Sequence, residues 1–360
     1  MAGLRYAVAL MVALVLVGAL LALVGADPLL AYATMVRASL GSLGSVGQTL
    51  NKATPLILGA LGVAFALRGG FLNVGVDGQI YLGAICATGM AFLLGGQAPA
   101  ALALPLVLLA GVLGGLLAVL PAALLRAVWG VNEIFVTVML NFVFIELTDY
   151  LATGPWNDPL AGEAISRPIP LAAQLLPLPL TGAHPGILIA LLVAAIVGWV
   201  LRRTLLGYTV RAVGDNPAAA RVGGIDLGRV AVTALAISGG IAGLAGAIEV
   251  SGYHQRLILG LSPGYGYMAI LLAVLGRRQP FGVVVAGLAF AVLLVGSDSL
   301  QRSVRLPQSG VLVFEAIILL SMLFAEAVGR ERPGGASSRL REVLRLPATW
   351  HFGKHQQSSR

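Results

Sequence analysis

Between two apolar runs the chain reads Arg68-Gly-Gly-Phe-Leu-Asn-Val-Gly-Val-Asp-Gly-Gln79, which sets one acid, Asp77, and two amides, Asn73 and Gln79, among four glycines. Glycines this dense break a helix, and backbone groups freed at membrane depth can be satisfied only by neighbouring helices or by a water-lined cavity. An ionisable group there is costly and faces a bundle interior or an aqueous route, so Asn73, Asp77 and Gln79 are candidates for a substrate pathway. The bland reading of the same residues is a solvated loop in which Asp77 pairs with Arg68. Asn141 falls in the middle of a later apolar run. A mid-span amide either bonds between helices or belongs to the route of a polar solute, which makes it the fourth candidate. Asn132 and Glu133 suit a helix N-terminus, where an acid favours the positive end of the dipole.

Covalent chemistry is not indicated. The chain has no H-E-x-x-H, no G-x-S-x-G and no cluster of histidines with carboxylates, so no catalytic and no metal residues are expected and the chain reads as no enzyme. Ser251 and His254 are close in sequence, but they fall in a connector between apolar runs. Cys86 is the sole cysteine, which rules out an internal disulfide framework. The only lysines, Lys52 and Lys354, stand outside any Walker A pattern. If ATP is used, a partner subunit binds it and this chain carries no cofactor.

The elements that hold these residues follow from composition. Hydrophobic residues make up 58% of the 360, charged residues 11%, and mean hydropathy is +0.93, which excludes a soluble domain. Apolar runs near 7 to 26, 54 to 68, 79 to 95, 101 to 125, 133 to 152, 185 to 201, 230 to 250, 264 to 276, 281 to 298 and 310 to 328 predict an all-α polytopic membrane bundle of about ten spans with broken helices. The formal charge of +8 is explained by topology rather than by a nucleic-acid partner. With both termini cytoplasmic, about 17 of the 23 Lys and Arg fall on the inner side. The first run is expected to stay as a span rather than to be removed as a signal peptide. Gly111 to Gly115 and Gly239 to Gly243 read as close-packing faces.

Residues 1–329 are then one transmembrane domain, and 330–360 a basic, flexible cytoplasmic tail. The connector from Thr153 to Pro185 is expected outside, as a docking surface. The connector 202–229 is too polar to span; Asp215 or Asn216 can cap a short cytoplasmic helix from Pro217 to Val222, which Gly223 and Gly224 stop. Gly69 to Ala84 and Ser262 to Gly287 echo each other, each a glycine-rich break before a glycine-spaced helix, and mark a candidate internal repeat.

The stretch from Thr54 to Gln79, the Gly130-Val-Asn-Glu start with the later Met139-Leu-Asn141, and Gly207-Tyr-Thr-Val-Arg-Ala-Val-Gly-Asp-Asn-Pro-Ala-Ala-Ala-Arg-Val-Gly-Gly-Ile225 resemble the permease subunits of the branched-chain amino acid and simple-sugar class of ABC importers. The likeness covers nearly all the spans and is sharpest with the nucleoside subfamily, which works with a lipoprotein of the basic membrane protein type. Asp77 stands where related sequences usually have Glu, which keeps the charge. That resemblance implies an inner-membrane permease coupled to a separate ABC ATPase subunit, with a second, related permease chain and a solute-binding lipoprotein as partners. It also implies that Arg211, Asn216, Ala219, Ala220 and Gly224 belong to the element that docks on the ATPase. Simple sugars or branched-chain amino acids are the alternative cargo. An ion-coupled secondary transporter using Asp77 or Glu249 is the reading from another class.

Overall fold

A computed structural model describes residues 2–303, except 24 and 26, and scattered positions between 310 and 325. In chain order the helices of residues 2–303 are α1 (Ala2–Leu23), α2 (Pro28–Leu40), α3 (Leu43–Arg68), α4 (Val76–Leu94), α5 (Ala100–Trp129), α6 (Glu133–Thr153), α7 (Gly186–Arg203), α8 (Leu205–Asp215), α9 (Pro217–Val222), α10 (Leu227–Ile248), α11 (Tyr265–Leu275) and α12 (Pro280–Ser303). A single π-helical turn, Glu249–His254, extends α10. The expected all-α bundle is what forms.

Among the described residues, α3, α4, α5, α6, α7, α10 and α12 are long and apolar enough to cross a membrane, and the α1–α2 pair, bent by 117°, would add one more. The expected span at 264 to 276 folds instead as α11, whose eleven residues reach about 16 Å, half of a hydrocarbon core of about 30 Å. Most of the run 310 to 328, and all of the tail 330–360, lie outside the described residues.

Two helices differ from expectation for a local reason. Asp27 accepts hydrogen bonds from the Leu29 and Leu30 amides and Pro28 takes the first helical position, so α2 starts at a strong cap despite modest apolarity. Ser42 accepts from the Ser45 amide and opens α3 eleven residues before its apolar run.

α3 is the axis of the bundle, with every residue from Ala53 to Ala66 buried against α7, α10, α11 and α12. Beside it α4, α5 and α10 pack on one another through glycines. A Cβ on Gly115 or Gly243 would overlap the facing backbone. Lipid is as apolar as leucine, so close van der Waals approach, rather than exclusion of water, holds such helices together.

The bundle has two distinct faces. On one, here the proximal face, α8 lies against the end of α3 and carries α9 beside it: Gly214 abuts the Arg68 carbonyl, and Arg68 Nε donates to the Arg278 carbonyl at 3.0 Å. Arg126, the arginines from Arg202 to Arg229 and the pair Arg277 and Arg278 sit on this side. On the opposite, distal face the 154–185 connector is tied down. Leu175 N–H donates to the Ser251 carbonyl at 2.8 Å, Ile169 N–H to Gln255 at 2.9 Å, and His184 N–H to Asn51 Oδ1 at 2.9 Å.

Candidate functional site

Beyond α3 the chain dips from the proximal face through residues 69–75 to mid-bundle, where α4 begins. Asn73 is the knot of this break. Its Nδ2 donates to Gln79 Oε1 and to Ser238 Oγ of α10, both at 2.8 Å, while its Oδ1 accepts from Gln79 Nε2 at 2.9 Å and from the Gly75 amide at 3.0 Å. Asn141 holds the same segment from α6, accepting from the Gly78 amide at 2.8 Å and donating to the Val74 carbonyl at 3.1 Å. Gly78 lies so close to Asn141 that a side chain there would strike its Cα.

Asp77 points elsewhere, toward α11. Its Oδ1 accepts from the Ser262 hydroxyl at 2.5 Å and from the Gly266 amide at 2.9 Å. A carboxyl is thereby set at the N-terminus of α11, where free amides and the helix dipole favour it. The two glycine-rich breaks that echo in sequence therefore meet through this carboxyl. Arg68 is turned to Arg278, so the solvated-loop pairing of Asp77 with Arg68 does not form.

All four candidate pathway residues are buried, with exposures from 0% for Asn73 to 3% for Asp77. Protein groups take up their hydrogen bonds, save that Asp77 Oδ2 has no partner. The structure brings the four together as a lock on the helix break. Ser238 and Ser262, two members of that lock, gave no sign of that role in the sequence: a single serine in a glycine-rich helix, as at 238, or in a glycine-rich bend before one, as at 262, is common. Glu133 is more than a helix start. Its Oε1 accepts from the Leu72 amide at 3.2 Å and its Oε2 lies 3.4 Å from Arg126 Nε, fastening the break to α5 and α6.

The second cluster forms on the proximal face. α9 runs from Pro217 to Val222 as expected, with Asn216 Oδ1 accepting from the Ala219 amide at 3.0 Å and Gly224 in the left-handed region at φ +80. Asp215 ends α8 rather than capping α9. α8 itself was not expected; its apolar residues share one face, which the polar composition of 202–229 concealed. Ala220 is buried under α9, whereas Ala219 is exposed and Val222 is 90% exposed. Arg211 is half-buried and donates from Nε to the Gly207 carbonyl at 3.2 Å. A cavity of about 540 Å³ separates the two clusters, bounded by Gly69, Gly70 and Phe71 of the break, by Arg126, and by Pro217 and Arg221 of α9.

A glycine-packed membrane bundle, broken and locked at mid-depth and carrying an exposed capped helix on its basic face, is the architecture of a transport permease. The family model described as branched-chain amino acid transport system / permease component matches residues 45–325, and the chain belongs to that family, as an ABC transporter permease. It is 36% identical to a glucose ABC transporter permease protein of Haloferax volcanii, over 91% of this chain and 88% of that one. A guanosine ABC transporter permease protein of Bacillus subtilis is 33% identical over 86% of this chain and 90% of its own. A nucleoside ABC transporter permease protein of Lactococcus lactis is 30% identical over 84% and 86%.

Proposed function

We propose that this permease forms one half of the membrane pathway of an ATP-driven importer of nucleosides, in the inner (plasma) membrane. Its partners are a separate ATPase that binds the nucleotide, a second related permease chain and a solute-binding lipoprotein. The observation that carries the reading is α9: a rigidly capped helix with an exposed apolar tip, on the face where arginine is concentrated. Lys and Arg accumulate on the cytoplasmic side of membrane proteins, which supports a cytoplasmic α9, within reach of an ATPase, and agrees with a scheme in which both termini are cytoplasmic. Arg211, Asn216, Ala219, Ala220 and Gly224 form the docking element in this scheme, within the segment 202–229 of a membrane domain spanning 1–329.

Movement of α9 would reach the break across the intervening cavity and through Glu133, and would free the lock of Asn73, Asp77, Gln79 and Asn141 so that a polar solute can pass. The chain performs no covalent step in this scheme. The nucleoside reading is supported by the relatives named for guanosine and for nucleosides. A sugar importer is the second reading, favoured by the 36% identity to a glucose permease; a ribose or hexose ring is common to both.

The test is ATP-dependent uptake of labelled adenosine, glucose and leucine into vesicles holding the co-expressed complex and its binding protein. Adenosine uptake that stops without ATP is the expected result. Glucose uptake alone would replace the solute and keep the architecture. Uptake that persists without ATP and collapses with an ion gradient would overturn the coupling scheme.

A further inference from the structure

We propose that a cleft on the distal face, apart from both the break and α9, binds the sugar ring of the incoming solute; the proposal rests on the importer reading above. The cleft has a volume of about 600 Å³ and lies between the end of α2, the first turns of α3, the π-helical turn and the far part of α12. That volume lies within the range of small-molecule sites. Ser45, Gln48, Lys52, Tyr253 and Asp298 line it, beside small apolar residues.

Lys52 is the only lysine of the described residues. Its ammonium lies 5.6 Å from the centre of the Tyr253 ring and 5.9 Å from that of Tyr265, within reach of cation–π attraction. Asp298 borders the same cleft, yet among the described residues Lys52 makes no ion pair. Two opposite charges thus share a cavity without neutralising each other, which leaves one as a donor and one as an acceptor for something between them.

Tyr253 owes its place to the π-helical turn Glu249–His254, a kind of helix interruption that is frequent at functional sites. The turn is held by the Leu175 to Ser251 hydrogen bond and by Glu249, whose Oε2 is 3.4 Å from His254 Nε2. A neutral ring bearing several hydroxyls needs donors and acceptors together with a flat apolar surface. Lys52 donates, Asp298 accepts, Gln48 and Ser45 do either, and the Tyr253 ring, 37% exposed, offers the flat face. The cleft opens beside Gly47, which packs against Thr181 of the connector.

The experiment uses the whole complex in lipid nanodiscs, without the binding protein, and measures equilibrium binding of tritiated adenosine, glucose and leucine. Saturable adenosine binding is expected, weakened about tenfold or more by Lys52→Met and by Asp298→Asn, as loss of one charge-assisted hydrogen bond requires. If either variant fails to assemble, Gln48→Cys in a Cys86→Ser background gives a second reading: adenosine should slow its labelling by a membrane-impermeant maleimide. Wild-type complex that imports adenosine, with binding unaltered by both variants and labelling unprotected, overturns the cleft and leaves the importer reading intact. Leucine binding in place of adenosine and glucose overturns the assignment to a sugar ring. A complex that imports neither nucleosides nor sugars removes both readings.

Discussion

The helix break at mid-bundle and the docking helix α9 use the same vocabulary, glycines flanking an asparagine, but they are stabilised in opposite ways. In α9 the partner of Asn216 is the amide three residues on. In the break, Asn141 reaches Gly78 across 63 residues, Asn73 reaches Ser238 across 165 and Asp77 reaches Ser262 across 185. α9 is therefore capped within its own turn and, seated on α8 through the buried Ala220, can transmit a push as a unit. The break is rigid only while four helices keep their places, so it can open when one of them moves.

Asp77→Ala should give the largest effect. It strips the buried Ser262 hydroxyl and Gly266 amide of their acceptor, at about 3 kcal/mol of stability, and uptake should be lost. Asp77→Asn should recover part of the uptake, because a single oxygen accepts both hydrogen bonds and the amide nitrogen would stand where Oδ2 has no partner. Thermal unfolding in detergent alongside vesicle uptake measures both. A wild-type melting midpoint and uptake in the alanine variant would mean that the break is not held from afar.

Asn216→Ala comes next, at about 1 kcal/mol of local helix stability. Its signature is uncoupling: the complex should assemble and hydrolyse ATP while uptake falls. Here Asn216→Asp or Asn216→Ser should rescue, since any good N-cap satisfies the Ala219 amide. Rescue at α9 by any good cap, against rescue at Asp77 only by the amide of the same shape, is the contrast that separates a locally built element from one assembled across the fold. Glu133→Gln should be milder still. It keeps an acceptor for Leu72 and loses only the ion pair to Arg126, which is 38% exposed and worth about 1 kcal/mol or less. A several-fold drop in uptake with little change in melting would place Glu133 on the path between α9 and the break.

The same contrast explains what could be read from the sequence. Proline after Asn216 and paired glycines at 223 and 224 delimit α9 to the residue because every partner is within one turn. That Arg68 to Gln79 breaks a helix was equally legible, since glycine spacing is local. What fills the break was not. Ser238 and Ser262 give no periodic or compositional sign, and only the crossing of α4 with α10 and α11 brings them to Asn73 and Asp77. One expected span differs for a related reason. The run 264 to 276 is as apolar as a spanning helix, but its length is set by Gly264 and Gly276 at its two ends.

His184 extends the comparison to the distal face, for it too is buried among groups distant in sequence: Asn51 accepts from its backbone amide and Glu249 is the nearby charge. Its Nδ1 accepts from the Gly186 amide at 3.2 Å, which requires the neutral ring with its proton on Nε2. Burial is the larger influence and pushes its pKa below the ordinary 6.5, with Glu249 opposing. In the unfolded chain the ring takes up a proton more readily than in the fold. The stability it contributes is therefore present above the unfolded value and is lost as pH falls through it. The melting midpoint of the wild-type complex should fall between about pH 8 and about pH 5.5, and His184→Gln should make that fall shallower. Parallel curves for the two proteins would mean that proton uptake at His184 is the same in both states, and that its distant partners hold it through the backbone amide rather than through the ring.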